Sequence, residues 1–234
     1  MEEKLNQVLI QYNINLSREK VEKLCNFIKI MKDYNKIHNI TAITEDDDII
    51  YKHILDSLLP VNKIKNNSLV LDIGCGAGFP SIPLAIANEN LQITAIDSVR
   101  KKTDFVELVK NSLNINNLTV IHTRIEDFAF KLDFREQFDI VTSRAVAPLN
   151  IILEYSAPML KNGGKILAYK GNNYKDELIH AENALKILDC NLKEVYEYKI
   201  SEINANRAIL SINKNSKIST KYPRKQNKPR LQPL

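Results

Sequence analysis

The sequence predicts an α/β protein with a seven-strand, mostly parallel sheet and an N-terminal helical layer. From residue 69 onward, short apolar runs of strand length alternate with helical patterns, which is typical of a parallel sheet with helices on both faces. Before residue 74 the chain has no glycine, and its apolar residues recur at helical spacing. A hydrophobic content of 44% supplies a sizeable core and excludes wholesale disorder.

Three helices are predicted ahead of the sheet, two of them amphipathic over residues 3–12 and 18–37, and a third over residues 46–59. Ser17 is the predicted N-cap of the second helix. Three acidic residues from Asp46 to Asp48 begin the third, where they complement the helix dipole, so we interpret them as a helix start and not as a metal site. His53 and Asp56 supply too few ligands for a metal, and we predict a surface or packing role for them.

The predicted strands and helices then alternate to the end of the sheet. The strands cover residues 69–73, 92–96, 118–122, 138–142, 165–169, 192–200 and 207–212, and the helices between them cover residues 81–87, 101–113, 149–160 and 175–188. The last two strands have no long helix between them, which predicts an antiparallel element at one edge of the sheet.

The composition indicates the cellular location of the protein and whether disulfides or a metal are expected. No window approaches the roughly 20 uninterrupted apolar residues of a membrane span. The first residues are acidic where a signal peptide would be basic, so we expect a cytoplasmic protein. Cys25, Cys75 and Cys190 are far apart and odd in number, which argues against a disulfide framework or a structural zinc site, and no metal is expected.

The net charge of +5 is concentrated at the C-terminus. Residues 214–234 hold seven basic and no acidic side chains, which leaves 26 basic and 28 acidic side chains in residues 1–213. We therefore divide the chain into a helical layer (1–66), a sheet domain (67–213) and a basic tail (214–234). A basic tail indicates either a polyanionic partner or a solvated end that keeps the protein soluble.

The sharpest motif is the glycine-rich turn after the first strand. An apolar strand runs into Asp72 and then into Gly74, Gly76 and Gly78, which are three of the six glycines of the chain. A dinucleotide site has the spacing GxGxxG and binds a pyrophosphate, whereas the spacing here is GxGxG. An acidic side chain at the strand end suits a cationic ligand, so the turn indicates a Rossmann-like, class I S-adenosylmethionine-dependent methyltransferase.

Two further positions fit an adenosine-type ligand. Asp97 ends the second strand, where a carboxylate accepts hydrogen bonds from ribose hydroxyls. After the third strand, Ile125 offers apolar contact to an adenine, and Glu126 or Asp127 offers an acceptor for its amine. A plain helix start explains this last segment equally well.

Seven segments spread over nearly the whole chain form a recognisable combination. They are Asn35-Lys36, Asn39 to Ile43, Lys52 to Leu58, Asp72 to Pro80, Asp97 to Lys102, Ser143 to Ala147 and Tyr222 to Lys225. Together they resemble the RsmG (GidB) family of 16S ribosomal RNA guanine-N7 methyltransferases. The resemblance is most specific in the N-terminal block, in the SRA sequence after the fourth strand and in the YPRK sequence of the tail.

The resemblance implies methyl transfer from S-adenosylmethionine to N7 of a guanine in 16S ribosomal RNA. It implies cofactor contacts at Gly74, Phe79, Ile125, Glu126 and Arg144. The chain departs from the family pattern at Cys75 and Ser81, and it reads Gln-Asn-Lys at residues 226–228 where a glycine-containing turn is usual.

Guanine N7 carries a lone pair and no proton, so its methylation requires no general base, and no catalytic dyad or triad stands out in the sequence. Arg144 is the predicted catalytic residue, through a hydrogen bond to guanine O6. A cofactor-site brace or an ion-pair partner remains the alternative role for this side chain.

S-adenosylmethionine is the predicted cofactor, 16S ribosomal RNA or the small ribosomal subunit is the predicted partner, and the protein is expected to act as a monomer. The predicted RNA contacts are Lys221, Arg224, Lys225, Lys228 and Arg230. Two alternatives stay open, which are methylation of a small molecule or protein and a non-catalytic RNA-binding module.

Overall fold

A computed structural model describes residues 1–234 and contains one seven-stranded sheet with the strand order β3-β2-β1-β4-β5-β7-β6. Strand β2 pairs with β3, and β4 pairs with both β1 and β5, all in parallel, whereas β7 pairs antiparallel with β5 and β6. The strands are β1 (Leu69–Ile73), β2 (Gln92–Asp97), β3 (Leu118–His122), β4 (Phe138–Arg144), β5 (Leu160–Lys170), β6 (Cys190–Ile200) and β7 (Ala205–Lys214).

Eleven α-helices accompany the sheet. They are α1 (Glu2–Gln11), α2 (Arg18–His38), α3 (Asp46–Ile49), α4 (Asp56–Leu58), α5 (Ser81–Ala87), α6 (Arg100–Ser112), α7 (Ile125–Ala129), α8 (Leu149–Ser156), α9 (Tyr174–His180), α10 (Glu182–Ile187) and α11 (Lys228–Leu231). A π-helical turn, Ile50–Leu55, joins α3 to α4, and short 3₁₀ turns cover Val61–Lys63, Leu132–Phe134, Ala157–Met159 and Ser201–Ile203.

The chain forms two compact units. The first comprises residues 1–68 and 75–122, and the second comprises residues 69–74 and 123–234. In the first unit, α2 packs its buried apolar face against α5 and α6. In the second unit, the almost fully buried α8 packs against β5, α9 and α10. The N-terminal helices therefore share one compact unit with β2 and β3.

The predicted fold class is confirmed, including the antiparallel edge, and the differences lie in the extent of some elements. The Ser17 side chain caps α2 as predicted, by accepting a hydrogen bond from Lys20 N. The helix predicted over 46–59 contains the π-helical turn in its middle. The helix predicted over 175–188 is broken at Ala181, whose φ and ψ of −97° and −2° end α9.

Strand β5 is longer than predicted because it begins at Leu160, within the segment that was predicted to end the preceding helix. The added residues include Gly163, with φ at +77°, and the pairing of β4 with β5 changes register between Phe138 and Ile140. Glycines and an irregular register interrupt the apolar alternation that marks a strand in a sequence.

Candidate active site

The glycine-rich turn joins the second unit to the first, and its three glycines all have positive φ. The values are +71° at Gly74, +56° at Gly76 and +86° at Gly78, a region that other L-residues rarely adopt. A Cβ on Gly78 would lie 2.3 Å from Ile82 Cδ1, and one on Gly74 would lie 2.7 Å from Val146 Cγ2. A Cβ on Gly76 would meet no atom within 4 Å, so the turn presents open space there.

Asp97 holds this turn in place. Its carboxylate is 6% exposed; Oδ2 accepts a hydrogen bond from Gly76 N at 3.0 Å, and Oδ1 accepts one from Val99 N at 2.8 Å. Because each carboxylate oxygen has about two lone-pair sites, both oxygens keep acceptor capacity for a ligand. The first unit thus brings together two predicted cofactor residues, the glycine with open space beside it and the carboxylate at the end of β2.

Phe79, another predicted cofactor residue of the first unit, packs within an aromatic cluster. Its ring stacks on His53, with centroids 4.3 Å apart, and lies 5.1 Å from the ring of Phe27 in α2. The Nε2 atom of His53 lies 3.2 Å from Thr41 Oγ1. The predicted packing role of His53 is confirmed, and the N-terminal helical residues support the end of the glycine turn.

Asp72 lies in β1 of the second unit, where it is 1% exposed. Its Oδ1 accepts a hydrogen bond from Thr142 Oγ1 at 3.1 Å, and the two residues face each other in the parallel register of β1 and β4. Thr142 is a supporting residue that the sequence analysis missed. Its type is ordinary for a strand, and only the strand register brings it beside Asp72.

Arg144 is the last residue of β4 and is partly exposed. Ala145 follows it with φ at +55°, an unusual conformation for a residue with a side chain. This turn brings Val146 against Gly74. Arg144 thus stands at the carboxyl end of a central parallel strand, where open α/β sheets bind their ligands.

Glu126 is positioned by a hydrogen bond from a tyrosine of α8. It lies in the first turn of α7, directly after Ile125, and its Oε1 accepts a hydrogen bond at 3.0 Å from the hydroxyl of Tyr155. Burial, followed by the neighbouring Glu126, raises the pKa of Tyr155 to about 12. The nearby Arg230 side chain acts against this rise in the pKa of Tyr155. Because α7 begins at Ile125, the alternative interpretation of this segment as a helix start is confirmed.

The C-terminal segment, residues 214–234, is anchored to the second unit by a buried ion pair. Glu154 of α8 is 0% exposed and receives three hydrogen bonds from Arg224. Two come from Nε and Nη2 at 2.9 and 2.7 Å, and one comes from the backbone N at 2.7 Å. Arg135 adds hydrogen bonds to the carbonyl oxygens of Ser219 and Tyr222.

The anchored segment presents most of its cations outward. Of the five predicted RNA contacts, Lys221, Lys225, Lys228 and Arg230 are exposed. Arg224 is the exception, because its guanidinium is bound to Glu154. The signal that points to this anchor is Glu154 itself, the lone acidic residue in the apolar helix α8.

Solved structures with a similar fold include two with a bound cofactor. The structure of M. jannaschii TYW2 in complex with AdoMet superposes with a TM-score of 0.57 over 74% of this chain and 79% of that chain, at 15% identity. The cofactor-bound protein Rv0187 from MTB superposes with a TM-score of 0.60 over 83% of this chain and 91% of that one, at 14% identity. The fold and the glycine turn define the Rossmann-like class I methyltransferase architecture.

Similarity of sequence narrows this class to one family. The family model described as rRNA small subunit methyltransferase G (GidB) matches residues 20–210. "Ribosomal RNA small subunit methyltransferase G" of Fusobacterium nucleatum is 44% identical, over 99% of this chain and 97% of the relative. The protein of the same name from Streptococcus pneumoniae R6 is 37% identical, over 97% of both chains. The chain belongs to this family, which confirms the resemblance predicted from its motifs.

No helix is long and apolar enough to cross a membrane. No group of three or more His, Cys, Asp or Glu side chains is arranged to hold a metal ion.

Proposed function

We propose that this protein transfers the methyl group of S-adenosylmethionine to N7 of a guanine in 16S ribosomal RNA. The observation that carries the proposal is membership, along nearly the whole chain, of a family named for methylation of small-subunit ribosomal RNA. A ribosomal substrate also agrees with the predicted cytoplasmic location, and we propose that the protein acts as a monomer.

The residues present fit the cofactor. Gly76 has φ at +56° and open space where a Cβ would stand, so its backbone allows a ligand to approach closely. The Asp97 carboxylate, fixed beside it by two backbone N–H groups, is suited to accept hydrogen bonds from the ribose hydroxyls. The other cofactor contacts that we propose on β1 and the glycine turn are Asp72, Gly74, Gly78 and Phe79.

Glu126 and Ile125 are the proposed adenine contacts. The Tyr155 hydroxyl donates to Glu126 Oε1, which leaves Oε2 as an acceptor for the exocyclic amine of the adenine. Ile125 precedes it at the start of α7 and offers an apolar side chain to the base. Tyr155 therefore acts as a positioning residue for the adenine contact.

S-adenosylmethionine, when bound, supplies an electrophilic methyl group on a sulfonium. Guanine N7 offers a lone pair without a proton, so the chain has only to hold the base in line with that methyl group and needs no general base. Arg144 is the proposed catalytic residue, since its guanidinium suits the O6 acceptor beside N7. We propose that it also contacts the cofactor.

The C-terminal segment is the proposed attachment to RNA. Exposed Lys221, Lys225, Lys228 and Arg230 carry charge suited to phosphate, and the segment is held by Glu154 at Arg224. Arg224 contributes by fixing the segment that displays the other four cations.

The test measures transfer of label from radioactive S-adenosylmethionine to naked 16S RNA, to small ribosomal subunits and to a small-molecule extract. We expect label in RNA and none in the extract. The Arg144→Ala variant is expected to lose transfer, and Arg144→Lys, which keeps the charge without the planar fork, is not expected to restore it. Label in the extract alone, or full transfer by Arg144→Ala, would contradict the proposal.

A further inference from the structure

The loop between β4 and α8, residues 145–148, is bound by an ion pair of the second unit. Lys170 Nζ donates a hydrogen bond to the carbonyl oxygen of Ala147 at 3.1 Å. Glu177 Oε2 accepts a hydrogen bond at 2.9 Å from the backbone N of Leu149, the first residue of α8. The same carboxylate oxygen accepts a hydrogen bond from Lys170 Nζ at 2.6 Å. The two side chains and the loop therefore form one hydrogen-bonded group.

The strand register places this ion pair beside the end of β4. Tyr169 of β5 pairs with Arg144 of β4, and Lys170 is the next and last residue of β5. Because the two strands are parallel, their carboxyl ends lie at the same edge of the sheet, where open α/β sheets bind their ligands. Lys170 thus reaches, from the neighbouring strand, the loop that directly follows Arg144.

Burial of the Lys170 side chain is not explained by stability alone. This side chain is 8% exposed, and that of Glu177 is 27% exposed. Taking an ammonium out of water costs free energy that the attraction to its partner need not offset, and an apolar side chain of similar volume is often at least as stabilising. The hydrogen bond to the loop is what an apolar side chain could not provide.

The conformation of the loop explains why it is held in this way. Ala145 has φ at +55°, which is strained for a residue with a side chain. Strained residues of this kind persist where the surrounding structure determines their conformation, and they cluster at functional sites. A Cβ on Gly74 would lie 2.7 Å from Val146 Cγ2, so the loop also packs against the glycine turn. Relaxation of Ala145 to negative φ would move the backbone on both sides of it, including that of Arg144.

We propose that Lys170 and Glu177 are positioning residues for Arg144 in the methyl-transfer reaction. They hold the loop in its strained conformation, and the loop fixes the place of the guanidinium beside the reacting base. A displacement of about 1 Å in a catalytic group lowers a rate roughly 100-fold. The inference rests on the proposed function for the reaction and for the role of Arg144.

The same sheet contains a matched control for the Lys170–Glu177 pair. Lys161 Nζ donates a hydrogen bond to Asp139 Oδ1 at 2.8 Å, and Asp139 Oδ2 accepts one at 2.8 Å from the backbone N of Leu69. A lysine, a carboxylate and a backbone N–H are again joined, but at the amino ends of β1, β4 and β5. This second group lies at the edge of the sheet opposite to the proposed site.

The test compares Lys170→Met with Lys161→Met, which each remove one ammonium and keep an unbranched apolar side chain. Methyl transfer to small ribosomal subunits is measured at saturating S-adenosylmethionine, so that a change in cofactor affinity does not enter. Lys170→Met is expected to lower kcat roughly 100-fold with KM for the subunits unchanged, and Lys161→Met is expected to keep the wild-type kcat. Urea denaturation establishes that both variants are folded under the assay conditions.

Variants of Glu177 separate positioning from a loss of charge. Both hydrogen bonds end on one carboxylate oxygen, and the amide oxygen of a glutamine also has two lone-pair sites. Glu177→Gln is therefore expected to stay close to the wild-type kcat, whereas Glu177→Ala is expected to lower kcat as far as Lys170→Met does. An equal loss in Glu177→Gln and Glu177→Ala would overturn the inference.

Hydrogen exchange of residues 145–149, measured without substrate, reports on the loop itself. Exchange is expected to be faster in Lys170→Met than in the wild-type protein and unchanged in Lys161→Met. Unchanged exchange in Lys170→Met, a wild-type kcat in this variant, or an equal loss of kcat in Lys161→Met would overturn the inference. Absence of label in RNA with the wild-type protein would instead contradict the proposed function, and the exchange data would still decide whether the pair holds the loop.

Discussion

The glycine turn and the C-terminal segment are both held by an acidic side chain, and the two cases differ in where that acid lies. Asp97, which accepts a hydrogen bond from Gly76 N, lies only 21 residues further along the chain. It ends β2, the next strand of a regular βαβ pattern. Glu154 fixes Arg224 from 70 residues away and belongs to no motif. The first arrangement leaves open space beside the backbone of Gly76, and the second holds a segment whose lysines are exposed.

Breaking the anchor of the C-terminal segment is expected to have the largest effect. Arg224→Ala leaves the Glu154 carboxylate buried without its partner, which costs about 3–5 kcal/mol in the free energy of unfolding. Urea denaturation measures this loss. The double variant Glu154→Met/Arg224→Met removes both charges and is expected to recover most of the stability. A loss below about 1 kcal/mol in Arg224→Ala would mean that the ion pair does not hold the segment.

Adding a methyl group to the glycine turn is expected to have the next largest effect. Gly76→Ala places a Cβ in the space proposed for the cofactor, and one methyl too many costs about 1–3 kcal/mol, or roughly 5- to 150-fold in affinity for S-adenosylmethionine. Isothermal titration calorimetry measures the change.

Gly163→Ala is the matched control for that substitution. Gly163 also has positive φ, at +77°, and also has no atom within 4 Å of a built Cβ, but it lies in β5 away from the turn. Both variants are expected to lose about 1–2 kcal/mol of stability from backbone strain. Only Gly76→Ala is expected to lose cofactor affinity, and equal affinities in the two variants would contradict the proposed site.

Removing charge from the C-terminal segment is expected to weaken the binding of RNA and to leave the binding of S-adenosylmethionine unchanged. Lys225→Ala/Lys228→Ala removes two exposed cations, which weakens binding of 16S RNA roughly tenfold at 0.15 M salt and flattens its salt dependence. Filter binding across a salt series measures both. Affinity for S-adenosylmethionine is expected to stay unchanged, and a parallel loss of cofactor affinity would contradict the separate roles of the two regions.

The smallest expected effect is that of Tyr155→Phe, which tests the contact between α8 and α7. It removes the hydrogen bond to Glu126 and keeps the buried ring. A hydrogen bond with a neutral donor contributes about 0.5–1.5 kcal/mol to stability, so the free energy of unfolding is expected to fall by no more than this amount, and S-adenosylmethionine is expected to bind severalfold more weakly. Unchanged affinity would show that Glu126 needs no positioning by this residue.

The difference between contacts that are close in the sequence and contacts that are distant in it explains which residues the sequence predicted and which it missed. Asp72, the three glycines and Asp97 are recognised from spacing along consecutive elements, because glycines mark positive φ and parallel strands end at one edge. Thr142, Tyr155 and Glu154 were missed since their partners lie 70, 29 and 70 residues away. Periodicity carries no information on such pairs. A lone acid in an apolar helix was the one available signal, because a buried carboxylate requires a partner.

The measurement that tests the central claim most directly is identification of the methylated nucleoside. Small ribosomal subunits that lack the modification are incubated with the protein and labelled S-adenosylmethionine, and their 16S RNA is digested to nucleosides and separated. We predict one labelled product, N7-methylguanosine, that is absent when Arg144→Ala replaces the wild-type protein. Label in any other nucleoside, or no label in 16S RNA, would contradict it.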